Sequence, residues 1–181
     1  MNIVLIGMRG AGKTSVARRL STLTRRPILS TDLLISYEHE GLSIPRILAR
    51  NGGNWRAFRQ MERQVVEKVA RMDNVIIDCG GGVVVDIGAQ GEEIYAREKI
   101  DFLRERGLVV WLQGDIRRLV EKVQGDANRP SLTTQHSTLE LMQRRLPFYE
   151  QAADRIVHIE NKTRKELAVE ILALFPMIAT R

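Results

Sequence analysis

Short continuous apolar runs alternate along the chain with longer segments whose apolar residues recur every three or four positions. Five of the runs, Asn2 to Ile6, Pro27 to Ser30, Asn74 to Asp78, Leu108 to Leu112 and Arg155 to Ile159, predict strands. Their apolar residues are contiguous rather than alternating with polar ones, as in parallel strands covered on both faces. The amphipathic segments predict helices at about Lys13 to Leu23, Asp32 to His39, Ser43 to Arg50, Asn54 to Met72, Ala96 to Arg106 and Asp115 to Gln124, then Thr138 to Ala152 and Arg164 to Leu174. Ser43 ahead of Pro45 suits a helix start, and Gly107 and Gly125 suit helix stops. Repeated strand and helix units give an α/β fold: three layers, with helices on both faces of a five-stranded parallel sheet. Gly125 to Ser137 has weak periodicity and contains Pro130, so it reads as a mobile loop. No repeat, low-complexity tract or linker divides the chain, and residues 1–181 form one expected domain.

Composition adds a charge question. The 181 residues carry 28 Lys and Arg against 22 Asp and Glu, a formal charge of +6. The basic residues divide into 22 Arg and 6 Lys. Guanidinium groups match carboxylate and phosphate oxygens, so the excess fits nucleic acid, acidic lipid or a small anionic substrate equally well. Cys79 is the single cysteine, which excludes an internal disulfide framework and a multi-thiolate metal site and fits a reducing compartment. There is no basic leader at the start and no run of eighteen apolar residues, so the expectation is a soluble cytoplasmic protein without a membrane partner.

Gly7-Met8-Arg9-Gly10-Ala11-Gly12-Lys13-Thr14 fits G-x-x-x-x-G-K-[ST] and lies between the first predicted strand and the first predicted helix. In such a loop the backbone N–H groups of Gly10, Ala11, Gly12, Lys13, Thr14 and Ser15 wrap phosphate oxygens at a helix N-terminus. Lys13 reaches the β- and γ-phosphates, and the Thr14 hydroxyl can ligate Mg²⁺. The competing reading is a glycine-rich turn that only closes a strand–helix unit.

The phosphate acceptor must be read from other groups. Asp32 follows the second strand at its carboxyl end, where open α/β sheets place ligands, and can accept a hydroxyl proton; it can equally cap the helix that follows. Arg59 and Glu62 are three apart on one helix and share a face, so Glu62 can aim the guanidinium, unless the two form a solvated surface pair. Gly80-Gly81-Gly82 after the third strand permits close backbone approach to a ligand, or is a flexible turn. Arg129-Pro130 in the loop and Arg144-Arg145 beyond it can close over a transferring phosphate, or be solvated.

Together these residues resemble the shikimate kinase family of small P-loop kinases, over nearly the whole chain. The resemblance rests on the Gly7 to Thr14 loop, Thr31-Asp32, Phe58-Arg59-x-x-Glu62, the Gly80 to Gly82 triplet, Asn128-Arg129-Pro130 and Arg145-x-Pro147-Phe148-Tyr149-x-x-x-Ala153-Asp154. It implies a P-loop kinase fold with a substrate-binding segment at about 32–62 and a lid at about 125–137. It also implies transfer of a phosphoryl group from ATP, with Mg²⁺, to the 3-hydroxyl of shikimate, by a monomer in chorismate and aromatic amino acid biosynthesis. By position, Asp32 contacts the shikimate hydroxyls as base or orienting group, Arg59 and Arg145 hold the carboxylate, the Gly80 to Gly82 backbone lines the ring, and Arg129 approaches the transferring group beside Lys13. The chemistry is consistent: two guanidinium forks and one carboxylate match a polyhydroxylated carboxylic acid.

The chain also departs from the family pattern. The family carries an acid at the position of Ser30 that helps organise Mg²⁺ through water, and a small hydroxyl residue at the position of Cys79. Asp78 is a candidate to replace the missing acid; because residues 78 and 79 point to opposite sheet faces, Asp78 can instead face a helix or pair with a basic residue. Lys122 stands where an arginine stacks on adenine, and Ser131 replaces a leucine in the lid. Trp55, one turn before Arg59, either walls the pocket or packs. His39, His136 and His158 lack metal-ligand spacing. Two rivals remain: a kinase of the same fold acting on gluconate or a nucleoside, and a noncatalytic nucleotide- or nucleic-acid-binding module. Only 9 of 181 residues are Phe, Trp or Tyr, so stacking platforms for nucleic acid are scarce and no nucleic-acid partner is expected. The remaining arginines, among them Arg18, Arg19, Arg25, Arg26, Arg117 and Arg118, are expected on solvated helix faces.

Overall fold

The computed structural model describes residues 1–124 and 137–175. Arg129, Pro130, Ser131 and His136, and nearly all of the predicted lid, lie outside the described residues.

The predicted strands form one parallel sheet. β1 (Asn2–Ile6), β2 (Ile28–Ser30), β3 (Ile76–Asp78), β6 (Gly107–Gln113) and β7 (Arg155–His158) lie in the order β2-β3-β1-β6-β7. β1 is fully buried between β3 and β6, consistent with its unbroken apolar run. α1 (Lys13–Thr24) packs against α8 (Arg164–Ala173), and α4 (Trp55–Ala70) against α5 (Arg97–Arg106), as the layers on the two faces. α2 (Thr31–Glu38) and α3 (Ile44–Arg50) extend from β2 toward α4; α6 (Ile116–Gln124) and α7 (Thr138–Ala152) pack together after β6.

Capping chemistry fixes several helix starts. Asn54 accepts a hydrogen bond from the Ala57 amide at α4, and reciprocal capping boxes open α7 (Ser137 with Glu140) and α8 (Thr163 with Glu166). Ser43 precedes α3, with Pro45 in its first turn. α5 stops at Arg106 because Gly107 is already extended and enters β6.

One element is absent from the sequence-based assignment. β4 (Val85–Ile87) and β5 (Glu93–Tyr95) form a separate antiparallel hairpin, closed by the Gly88 amide donating to the Glu92 carbonyl. Each strand has only three residues, too few to display a period of two. Two arginines also depart from expectation: Arg26 is buried, beyond the end of α1, and donates through Nη1 to the Met1 carbonyl at 2.8 Å, and Arg19 is half-buried with its Nε enclosed. Arg25, Arg117 and Arg118 are exposed as predicted. Among the described residues, no helix is long and apolar enough to cross a membrane.

Candidate active site

Because the strands are parallel, their carboxyl ends share one edge of the sheet. β1 has neighbours reached by opposite directions of winding, and such a switch point opens a crevice. The loops after β1, β2 and β3 bring the Gly7–Thr14 loop, Asp32 and the glycine triplet to this edge, around a cleft of about 650 Å³. Lys13, Thr14 and Ser15 line one part of it; Asp32, Arg59 and Arg145 line another.

At the phosphate loop, Lys13 Nζ donates to the carbonyls of Gly7 at 2.8 Å and Met8 at 3.3 Å. The Thr14 hydroxyl donates to Asp78 Oδ2 at 2.7 Å. Strand alternation left Asp78 free to face either way; its buried carboxylate faces the phosphate loop. Thr14 and Asp78 thus join a hydroxyl and a carboxylate at the edge of the cleft, a pairing of hard oxygen donors that suits Mg²⁺. Asp78 stands directly opposite Ser30 in the β2–β3 register.

The N-cap of α2 is Ser30, whose hydroxyl accepts from the Leu33 amide at 3.5 Å. The capping alternative for Asp32 is therefore corrected: Asp32 lies inside the first turn and its carboxylate faces the cleft. Burial raises the Asp32 pKa, Glu62 and Asp78 raise it further, and Lys13 and Arg9 oppose them. A carboxylate of raised proton affinity is suited to taking a hydroxyl proton.

Each end of the glycine triplet leaves room for one functional side chain. A Cβ on Gly80 would collide with the Asp32 carboxylate, and one on Gly82 would lie 2.6 Å from both terminal nitrogens of Arg59. The triplet is more than a flexible turn, because side chains would exclude these groups. Two further bonds hold it in place: the Gly80 amide donates to the Thr31 hydroxyl at 2.8 Å, and the Tyr149 hydroxyl donates to the Gly81 carbonyl at 2.5 Å. Tyr149 is itself stacked on Trp111, with ring centroids 5.5 Å apart.

Arg59 and Glu62 are buried together rather than forming a surface pair, with Nη1 to Oε2 at 2.9 Å. The Arg59 guanidinium lies 5.5 Å from the Trp55 ring, which both lines the cleft and supports the cation. Its Nε is enclosed by protein without a hydrogen-bond partner. Burial pushes the Glu62 carboxyl up, but Arg59 and Lys99 more than offset this and hold it below the usual carboxylate range. Arg145 is buried on α7, whereas Arg144 is exposed.

Lys122 also lines the cleft. Cys79 is buried, and burial pushes its thiol well up, so it serves as a neutral packing group. Among the described residues no group of three or more His, Cys, Asp or Glu is arranged to hold a metal, and His39 and His158 belong to no such cluster. Sequence reasoning missed Glu93, which pairs with Arg145, and Lys99, which pairs with Glu62. The signal for Lys99 was present: it occupies the buried face of α5 with Ile100 and Leu103, where an unpaired lysine would be costly.

This arrangement can be compared with known proteins. A family model described as shikimate kinase matches residues 9–175. A shikimate kinase from Leptospira biflexa is 40% identical over 172 residues, covering 95% of this chain and 94% of the relative. One from Dehalococcoides mccartyi is 38% identical over 172 residues, covering 94% and 90%. A solved shikimate kinase from Acinetobacter baumannii in complex with shikimate superposes with a TM-score of 0.80 at 29% identity, covering 99% of this chain and 95% of that one. With its phosphate loop, its acid and its buried arginines meeting at one sheet edge, the chain belongs to the shikimate kinase family.

Proposed function

We propose that the chain transfers the γ-phosphoryl group of ATP to the 3-hydroxyl of shikimate, giving shikimate 3-phosphate and ADP, with the following division of labour. The Gly10 to Ser15 backbone and Lys13 bind the ATP phosphates. Asp32 orients the acceptor hydroxyl and takes its proton. Arg59 and Arg145 receive the substrate carboxylate, and the Gly80 to Gly82 backbone lies along the ring. Arg129, outside the described residues, is assigned to the transferring group on the resemblance alone. Every other assigned residue lies at this one edge, and a monomer suffices for the reaction.

Thr14 and Asp78 would hold Mg²⁺, directly or through water, in place of an acid at position 30. When bound, the ion neutralises charge on the phosphate oxygens. The protein's contribution is mainly placement, which phosphoryl transfer requires more than covalent chemistry.

The observation that carries this reading is the glycine triplet, which lets a proton acceptor, Asp32, and a buried arginine, Arg59, approach the same turn beside the phosphate loop. The test is ADP release with ATP, Mg²⁺ and a panel of acceptors. Turnover should require shikimate, and Arg59→Ala should raise the shikimate KM by about tenfold or more, the cost of losing a charge-assisted hydrogen bond. Turnover with gluconate or a nucleoside but not shikimate would transfer the site to another acceptor.

A further inference from the structure

Burying two arginines beside an anion site poses an electrostatic problem. Each cation needs a counter-charge to tolerate burial, yet a counter-charge that neutralises it fully leaves nothing to attract a substrate carboxylate. The β4–β5 hairpin and the first turn of α5 answer this at both arginines.

At Arg59, the counter-ion is shared. Glu62 Oε2 accepts from Arg59 Nη1 at 2.9 Å and from Lys99 Nζ at 2.7 Å. Lys99 is wholly buried, and its ammonium also donates to the Val85 carbonyl of β4 at 2.6 Å and faces Asp86 Oδ1 at 3.3 Å. Arg59 and Lys99 are balanced in number by Glu62 and the half-buried Asp86, and within this cluster Glu62 divides its charge between two cations while Asp86 faces Lys99 alone. Without Lys99 the full charge of Glu62 would rest on Arg59.

At Arg145, the counter-ion takes one edge only. Arg145 Nε donates to Glu93 Oε2 at 3.0 Å, and Nη2 donates to Glu93 Oε1. Glu93 comes from β5 of the same hairpin. A guanidinium has two usable edges; binding through Nε and Nη2 fixes its plane while Nη1 and the second Nη2 hydrogen stay available for another carboxylate. Arg145 lines the cleft, and among the described residues nothing occupies Nη1.

We propose that Glu93 and Lys99 are positioning residues for the substrate carboxylate: Glu93 presents the free edge of Arg145, and Lys99 draws the charge of Glu62 away from Arg59. The hairpin thereby supports both halves of the clamp from behind. This rests on the carboxylate-binding reading of the preceding section and assigns that reading two residues that touch no substrate.

The test uses Glu93→Gln and Lys99→Met, each assayed with shikimate and with shikimate methyl ester, in which the carboxylate charge is masked. Each substitution should raise the shikimate KM by about tenfold, leave the ATP KM and kcat within about twofold, and leave the ester's kinetics nearly unchanged, so that discrimination between acid and ester shrinks. Glu93→Gln preserves shape and carries the test if Lys99→Met fails to fold, with a melting curve on each variant separating misfolding from lost placement. Equal losses on acid and ester, a parallel rise in the ATP KM, or an unchanged shikimate KM would each overturn the proposal. A lower shikimate KM in Glu93→Gln would also overturn it, since Glu93 would then compete with the substrate. If wild type does not discriminate acid from ester at all, the carboxylate reading itself fails, a different outcome from wild-type discrimination that the variants retain.

Discussion

Asp32 shows how a single residue can be placed against the preference of the fold. Its carboxylate lies close against Gly80, where burial and the charges of Glu62 and Asp78 raise its pKa. Below the unfolded pKa the group is protonated in both states and costs nothing. As pH rises through the folded pKa, the unfolded chain has already gained the free energy of ionisation, and the folded state loses stability relative to it. Asp32→Asn should therefore melt higher than wild type at pH 7, with the gain shrinking as pH falls from the raised folded pKa toward about 4 and absent below it, while kcat drops by about a hundredfold or more. Thermal melts across pH with parallel turnover assays check both halves. A loss of stability at pH 7 would show that the site is not built at the expense of folding. Ser30 makes this placement possible by taking the cap and leaving Asp32 free.

At the scale of elements, the register between β2 and β3 governs the metal question. Ser30 and Asp78 are direct cross-strand partners in adjacent parallel strands. A carboxylate on one stands only one strand spacing, about 4.8 Å, from the place it would have on the other. From β3 the Asp78 carboxylate reaches Thr14 at the start of α1. Asp78→Asn should weaken Mn²⁺ binding to the nucleotide complex by about tenfold, read by paramagnetic resonance or calorimetry without turnover, and the double variant Ser30→Asp/Asp78→Asn should recover part of it. Unaltered Mn²⁺ affinity in the single variant would remove Asp78 from the site. The β4–β5 hairpin shows an element organised by partners rather than by pattern: two three-residue strands are anchored by Lys99 at one end and Arg145 at the other.

Across the whole molecule, the two best-placed carboxyls contribute to pH dependence with opposite signs. Glu62 is held below the usual carboxylate range by Arg59 and Lys99 despite burial. Its contribution to stability is present above the unfolded pKa of about 4.3 and is lost as pH falls through the lower, folded value. Removing one partner from a buried ion cluster typically costs about 3–5 kcal/mol. Glu62→Gln should therefore be destabilised by about that amount at pH 7, and its stability should fall less steeply than wild type's below about pH 4. Denaturant titrations over that range measure it; a wild-type slope in the variant would mean that other carboxyls govern acid unfolding. The +6 charge belongs to this scale too, favouring anionic ligands without choosing among them.

The amino-acid sequence by itself determined the alternation of strands and helices, the phosphate loop and the residues that resemble the family. Hydrophobic period, glycine spacing and cap chemistry are local, and a chain of mutually consistent local signals specifies its layers. It also held the departures at Ser30 and Asp78, but not their meaning: strand alternation allowed Asp78 two directions, and only the neighbouring α1 decided between them by presenting Thr14. Tertiary structure alone decided that Asp32 is no cap, that Arg59 and Glu62 are buried, and that Glu93 pairs with Arg145 and Lys99 with Glu62. Glu93 and Arg145 are 52 residues apart in sequence, as Lys99 and Glu62 are 37 apart. Pairs so distant leave no mark on local periodicity, because the electrostatic energy that joins them exists only once packing has removed both partners from water.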